Sequence, residues 1–81
     1  MYIKNAKIVK HPVVEVQTED FVYTINFSKI QNEEFDVLKQ DKHFFFNNFK
    51  FNQWMIFWDD STDVSIDELE SCCMGNVRAI N

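Results

Sequence analysis

The alternation of apolar and polar positions in the first third of the chain predicts a β-hairpin. Residues 13–17 are mostly β-branched, and the next run places large apolar side chains at every second position: Phe21, Tyr23, Ile25 and Phe27. A period of two is typical of strands that bury one face. Residues 18–20 are the predicted turn, and residues 2–9 are predicted to form a preceding strand that ends before Pro12.

A second hairpin is predicted from the aromatic-rich middle of the chain. From residue 47 on, Phe49 and Phe51 alternate with polar residues, and residues 52–53 are the predicted turn. Five large apolar residues then follow in a row, which indicates a central strand covered on both faces. The two sets project in opposite directions: Trp54, Ile56 and Trp58 to one face, Met55 and Phe57 to the other. Residues 43–46 fit either the end of a helical region or the start of a strand.

Two short helices are predicted from their start signals. Asn32 is a favourable N-cap followed by two acids, which predicts a first helix at about 33–40. Residues 65–68 match a capping box, in which Ser65 and Glu68 bond to each other's backbone amide. The second helix is therefore predicted at about 66–74, with Gly75 at its C-terminal end. Val64 and Leu69 occupy the two positions of a hydrophobic staple on either side of the helix start. Leu69, Cys72 and Cys73 are predicted to face the core.

These elements together predict a single α+β domain spanning residues 1–81, with a small, mostly antiparallel sheet of four to five strands and two short helices. The chain contains one Gly and one Pro, which is far below the content of disordered sequences. Apolar residues make up 46% of the chain, which is enough for one core without disulfides.

The net charge of −5 comes entirely from the last part of the chain. Residues 1–50 contain seven acids and seven bases, whereas residues 51–81 contain six acids and one base, Arg78. Binding nucleic acid through its phosphates requires lysines and arginines on the contact face, so direct DNA or RNA binding is not expected. The acids either attract a basic partner or only keep the protein in solution, and both interpretations stay open at this point.

Residues 58–69 resemble the end of a bacterial family, the domain-of-unknown-function 2442 family. That family typically ends in Trp-Pro-x-Gly-x-Asp-(Ile/Leu)-(Ser/Asp)-x-x-x-Leu, and this chain matches at Trp58, Asp63, Val64, Ser65 and Leu69. Asp59 and Ser61 stand where the family prefers Pro and Gly, which makes the turn at 59–62 less certain to be tight. The resemblance implies an α+β domain without catalytic residues, whose relatives are sometimes encoded beside small partners in toxin–antitoxin-like pairs.

No pattern in the chain predicts catalytic residues, a metal site or a cofactor. His11 and His43 have no partners at ligand spacing, and one Gly cannot form a phosphate-binding loop. The acids at 59, 60 and 63 imitate part of a calcium loop, but its interior Gly and terminal Glu are missing. Adjacent cysteines bridge only through a strained ring, so Cys72 and Cys73 are expected to be reduced, with a redox pair as the alternative. A non-enzymatic protein is expected.

Two functional hypotheses follow. The first is a small acidic protein-interaction module, antitoxin-like or an accessory regulator, that binds a protein partner with a basic surface. The alternative is a phage or mobile-element inhibitor, similar to anti-CRISPR proteins, whose acids imitate nucleic acid in the basic groove of a nuclease. Surplus aromatics also allow self-association into a homodimer. Without a membrane-spanning run or a signal peptide, a cytoplasmic location is expected. The predicted partner-binding residues are Asp59, Asp60, Asp63, Asp67, Glu70, Phe44 and Phe46.

Overall fold

The computed structural model describes residues 1–80, and Asn81 lies outside the described residues. In chain order the strands are β1 (Asn5–Lys10), β2 (Val13–Gln17), β3 (Phe21–Asn26), β4 (Lys50–Phe51), β5 (Met55–Asp59), β6 (Thr62–Ser65) and β7 (Val77–Ala79). They form two sheets, a large sheet of order β1-β2-β3-β7 and a small sheet of order β4-β5-β6. All neighbouring strands are antiparallel. The predicted α+β class is confirmed, although the strands are divided between two sheets.

The helices are α1 (Asp36–Gln40), α2 (Lys42–Asn48) and α3 (Leu69–Cys73), with 3₁₀ turns at Phe27–Lys29, Glu33–Phe35 and Ile66–Glu68. Both predicted helices are present, each with a 3₁₀ first turn. The Asn32 side chain accepts from the Glu34 amide at 3.2 Å, and the Ser65–Glu68 capping box is formed. The second helix ends where Met74 and Gly75 take positive φ values of 53° and 87°.

Residues 43–46, which fit either structure in the sequence, lie within the additional helix α2. Asp41 starts this helix, because its carboxylate accepts from the Phe44 amide at 3.0 Å. Near the end of the helix, Asn47 donates through Nδ2 to the His43 carbonyl at 2.8 Å. The strand predicted from residue 47 is therefore wrong over residues 47–48, and β4 contains only Lys50 and Phe51.

Three strand assignments differ from the sequence prediction. β1 occupies residues 5–10 instead of 2–9. β6 was expected to be a turn and a helix cap, but Thr62 and Val64 are buried and pair with β5, so the same residues form a strand. β7 lies in the tail that had no assignment and pairs with β3 from Tyr23 to Phe21. The short segments that form β6 and β7 become strands because a neighbouring strand supplies their hydrogen bonds.

Most of the buried apolar side chains form one cluster to which both sheets and all three helices contribute. Trp58 is central: its ring lies 5.5 Å from Phe27 and 5.7 Å from Phe45. Its indole Nε1 donates to the Phe45 carbonyl at 3.0 Å, so its one polar atom is satisfied in the core. The N-terminal segment joins the two sheets as well, since Lys4 donates to Gln17 at 2.8 Å and Ile3 donates to Gln53 at 2.9 Å.

Candidate interaction surface

The small sheet has one face on the core and one face open. Ile56 and Val64 are paired across β5 and β6 and are both completely buried. Because side chains alternate, the residues between them point outward. In that outer set Lys50, Phe57 and Asp63 form one cross-strand row. Met55 and Phe57 are only partly buried. The sequence prediction of a strand covered on both faces is therefore wrong, since only the inner face is covered.

A shallow groove of about 320 Å³ lies on this outer face at the end of the β5–β6 hairpin. We call it the acidic groove, and it is lined by Asn52, Met55, Phe57, Asp59, Asp60 and Asp63. It brings together three of the predicted partner-binding acids. It also contains two apolar residues that the sequence prediction did not include. Their opposite orientation to Trp58 was visible in the sequence, but their exposure was not.

The β5–β6 turn is held by Asp59. Its carboxylate Oδ1 accepts from the Ser61 amide at 3.0 Å and from the Ser61 hydroxyl at 3.2 Å. The turn is thus tight even though Asp59 and Ser61 replace the Pro and Gly of the family pattern. The Ser61 amide, helped by Thr62, lowers the pKa of Asp59 below its ordinary value. Asp59 is therefore ionised at neutral pH, and its side chain both fixes the turn and carries charge.

Among residues 1–80, no ion pair compensates the negative charge of the acidic groove. Within residues 1–80 the two ion pairs are Lys7–Glu15 at 3.9 Å and Lys39–Asp36 at 3.0 Å, both outside the groove. Lys50 shares a cross-strand row with Asp63, but Phe57 stands between them. An open groove with carboxylates around apolar side chains can bind a cationic group and bury the aliphatic part of its side chain.

The remaining predicted acids do not line the groove. Asp67 lies on the 3₁₀ turn before α3 and Glu70 lies on α3, and both are exposed. Burial raises the pKa of Tyr23, and the charge of Glu70 adds to this effect. The Glu70 carboxylate is therefore near enough to Tyr23 of the large sheet for its charge to affect that hydroxyl. The acidic run that looks continuous in the sequence is divided between two places on the surface.

The predicted aromatic pair is divided as well. Phe46 is 51% exposed, and its ring lies 6.2 Å from that of His11. Phe44 is partly buried and packs against the core, and Phe45 between them is fully buried. This is the outcome of helix α2, in which consecutive residues point in different directions. Phe46 remains a surface residue, whereas Phe44 has mainly a packing role.

Trp54 departs from the burial predicted for its face of the strand. It was expected to share the buried face of Ile56 and Trp58, but it is 63% exposed. It directly precedes β5, beside the Asn52 turn, where its amide donates to Asn52 Oδ1 at 2.8 Å. The alternation of the strand continues, but the core does not extend to the end of the hairpin.

The two cysteines are free and buried. Burial raises the pKa of the Cys72 thiol to about 11, and the charge of Glu68 adds to the effect. Cys73 Sγ donates to the Glu70 carbonyl at 3.3 Å. A thiol that keeps its proton at neutral pH is a poor nucleophile and a poor metal ligand. The geometry thus favours a packing role for Cys72 over a redox role.

Comparison with protein families, curated proteins and solved structures gives no significant match for this chain. The resemblance of residues 58–69 therefore stays a prediction. Among residues 1–80, no group of three or more His, Cys, Asp or Glu is placed to hold a metal ion. Over the same residues, no helix has the length and apolar content needed to cross a membrane.

Proposed function

We propose that this chain is a non-enzymatic interaction module whose acidic groove binds a basic segment of a partner protein. The observation that carries the proposal is the position of Asp59, Asp60 and Asp63 around the partly exposed Met55 and Phe57. Surfaces that only keep a protein in solution carry mixed charges without an apolar centre. An apolar centre with a charged rim is the usual composition of a protein interface.

The chemistry of the groove defines the partner segment. Three carboxylates without ion partners among residues 1–80 favour lysine or arginine side chains, and arginine can pair with a carboxylate through two hydrogen bonds. The exposed parts of Met55 and Phe57 favour the aliphatic stem of the same side chain, or an apolar residue beside it. The groove is shallow, so the partner contributes an extended segment or a convex surface.

The experiment compares two variants of equal charge. The groove variant carries Asp59→Asn, Asp60→Asn and Asp63→Asn, and the control carries Asp20→Asn, Glu33→Gln and Glu34→Gln at exposed positions elsewhere. Asn keeps the side-chain oxygen that holds the Ser61 amide, so the turn is preserved. Native lysate is passed over the wild type and both variants at low salt, and the bound proteins are identified.

The expected result is one stoichiometric partner that binds the wild type and the control but binds the groove variant at least tenfold more weakly. Its binding should weaken as salt increases, because the groove charges are exposed. A photo-crosslinking residue at position 57 should capture the same partner, whereas one at position 15 on the large sheet should not. Equal binding to both triple variants, or crosslinking only from position 15, contradicts the proposal.

The alternative function, an inhibitor that imitates nucleic acid, predicts a different result from the same proteins. It needs Asp59, Asp60, Asp63 and Asp67 to act as a set of phosphate substitutes, and DNA should then displace the partner. The apolar side chains in the groove favour the interaction module, since phosphate mimicry does not require them. A partner that is displaced by duplex DNA, but is insensitive to Phe57→Ser, would favour the inhibitor.

The resemblance of residues 58–69 to the domain-of-unknown-function 2442 family supports the same proposal independently of the groove's geometry. That family supplies no catalytic residues, and some of its members are encoded beside small partner proteins. An antitoxin-like or accessory role is consistent with a groove that includes Asp63, one of the residues matching the family pattern, within the same segment of the chain. Under this proposal the partner is a protein of the same cell, bound through residues 52–63.

A further inference from the structure

The outer edge of β7 is a second surface with binding capacity. Both ends of this strand bond to the β3 side: Thr24 donates to Asn76 just before β7 at 2.9 Å, and Ile80 just after it donates to Asp20 at 3.0 Å. In an antiparallel pair, residues alternate between bonding to the neighbour and pointing away from it. Val77 and Ala79 therefore direct their N–H and C=O groups away from β3. β7 is the last strand of its sheet, so nothing within residues 1–80 pairs with these four groups.

The opposite edge of the same sheet is protected against strand pairing. The Ile3 amide, just before β1, bonds to Gln53, and the pairing of β1 is irregular between Ile8 and Lys10. Lysines also recur along this edge, at positions 4, 7 and 10. Bulges, lysines and covering loops are the devices that prevent a sheet edge from pairing with another chain. β7 has a regular register, no Lys and no Pro.

A surface pocket lies directly beside the open edge. It has a volume of about 340 Å³ and is lined by Thr24, Gly75, Asn76, Val77 and Arg78. Arg78 is exposed and makes no ion pair within residues 1–80. It is also the single base of residues 51–81. The edge thus combines free backbone groups with a guanidinium group that has no partner among the described residues.

We propose that β7 accepts an extended segment of a partner protein as an additional strand, with an acidic side chain of that segment paired to Arg78. Backbone bonds to Val77 and Ala79 would hold the segment, as in other cases of strand addition. The guanidinium selects a carboxylate because it can offer two parallel N–H donors. A second copy of β7 is disfavoured as the occupant, because symmetric pairing about Arg78 places two arginines opposite each other.

The test uses a synthetic hexapeptide, acetyl-Thr-Val-Glu-Val-Thr-Val-amide, titrated into the ¹⁵N-labelled chain. The amide signals of Val77 and Ala79 should shift and saturate, and their hydrogen exchange should slow. Replacing the peptide's Glu by Gln should weaken binding by up to about fivefold, the upper limit for an exposed ion pair. Methylation of the peptide's bonding amides should abolish binding.

Two variants of the chain make the result specific. Arg78→Glu should reverse the preference, so that a peptide with Lys binds more tightly than the peptide with Glu. Ala79→Pro removes an N–H that points away from β3, so it should weaken docking while the circular dichroism spectrum stays unchanged. The proposal is overturned if Glu and Gln peptides bind equally, if the shifts appear at β1 or in the acidic groove, or if dilution alone shifts the signals of β7. The last result would identify a second copy as the occupant.

Discussion

The two sheets each bury one face in the common core, but their open faces differ in composition. The outer face of the large sheet presents the row Lys7, Glu15 and Thr24, with both charge signs and a Lys7–Glu15 ion pair at 3.9 Å. The outer face of the small sheet presents Met55 and Phe57 beside three aspartates. The first composition is typical of a solvated face, and the second is typical of an interface.

This difference shows that position along the chain is a poor guide to the interaction surface. The charge imbalance of the sequence covers residues 51–81, yet it is in the acidic groove that three of these acids lie beside the partly exposed Met55 and Phe57. Asp67 and Glu70 belong to the same acidic run but lie on α3 and the turn before it. The comparison predicts that changes on the inner faces affect stability, whereas changes on the small sheet's outer face affect binding.

The largest effect is expected when the core shared by the two sheets is opened. Trp58→Ala should lower the free energy of unfolding by about 3–5 kcal/mol, because it removes a buried ring and leaves a cavity. Trp54→Ala is the matched control in the same segment and should change it by less than about 1 kcal/mol, since Trp54 is 63% exposed. Urea unfolding followed by circular dichroism measures both.

If Trp58→Ala cannot be purified in folded form, Trp58→Phe gives a smaller loss, because it keeps most of the ring but removes the donor to Phe45. Equal costs at positions 54 and 58 would show that the two sheets do not share the core described above.

The next effect concerns α3, which lies against both sheets. The pKa of Cys72 is raised from 9.0 to about 11, so the folded state holds this proton more tightly than the unfolded state does. The resulting stability is complete below pH 9 and decreases as the pH rises toward 11. Urea unfolding should therefore show a loss between pH 9 and pH 11 that Cys72→Ala reduces but does not remove, because Tyr23 contributes in the same direction.

Thiol labelling measures the raised pKa of Cys72 independently of unfolding. At pH 8 the thiolate fraction of Cys72 should be about 100-fold lower than that of an ordinary thiol, because the pKa is higher by about two units. Labelling should therefore be slow in buffer and fast in denaturant. Rapid labelling of Cys72 in the folded protein would show that α3 opens away from the sheets.

The smallest effects on stability are expected at one acid of each sheet, Asp59 of the small sheet and Glu15 of the large sheet. Asp59→Ala should lower Tm by a few degrees, because it removes the acceptor that holds the turn, whereas Asp59→Asn should leave Tm nearly unchanged. Glu15→Ala on the large sheet should change stability by no more than about 0.5 kcal/mol, since its ion pair with Lys7 is long, at 3.9 Å, and the Lys7 side chain is exposed. Calorimetry of the three variants distinguishes these outcomes.

The stability difference between the wild type and Asp59→Ala should depend on pH in a defined direction. The pKa of Asp59 is lowered in the folded state, so its contribution is present at neutral pH and is lost as the pH falls through that lowered value. The difference between the wild type and Asp59→Ala should therefore shrink in acid. A difference that grows in acid would contradict the role given to the Ser61 amide.

Much of the secondary structure could be predicted from the sequence, because its signals are local. The first hairpin follows from the apolar alternation of β2 and β3, and α3 follows from the capping box of Ser65 and Glu68. The prediction failed where two local signals competed. Residues 47–48 alternate like a strand but continue the helix that Asp41 starts, and Thr62 to Ser65 pair with β5 before the helix cap begins.

The sequence predicts part of the candidate site, because charge and alternation are also local signals. The acids at 59, 60 and 63 were found from their charge, and Met55 and Phe57 were assigned to a separate face from their alternation. Whether that face is covered depends on which element packs against it, and this information is not local. The sequence predicts Phe44 and Phe46 as exposed aromatics, but in helix α2 Phe46 is 51% exposed and Phe44 is partly buried.

By itself, the sequence determined the α+β class, the location of the charge imbalance, and the starts of the predicted helices, since these depend on neighbouring residues and on composition. Only the tertiary structure decided that the strands divide into two sheets, that three acids meet two apolar side chains in one groove, and that β7 presents an unprotected edge. The physical reason is that burial and strand pairing depend on contacts between residues far apart in the chain, and these contacts determine which face remains open to a partner.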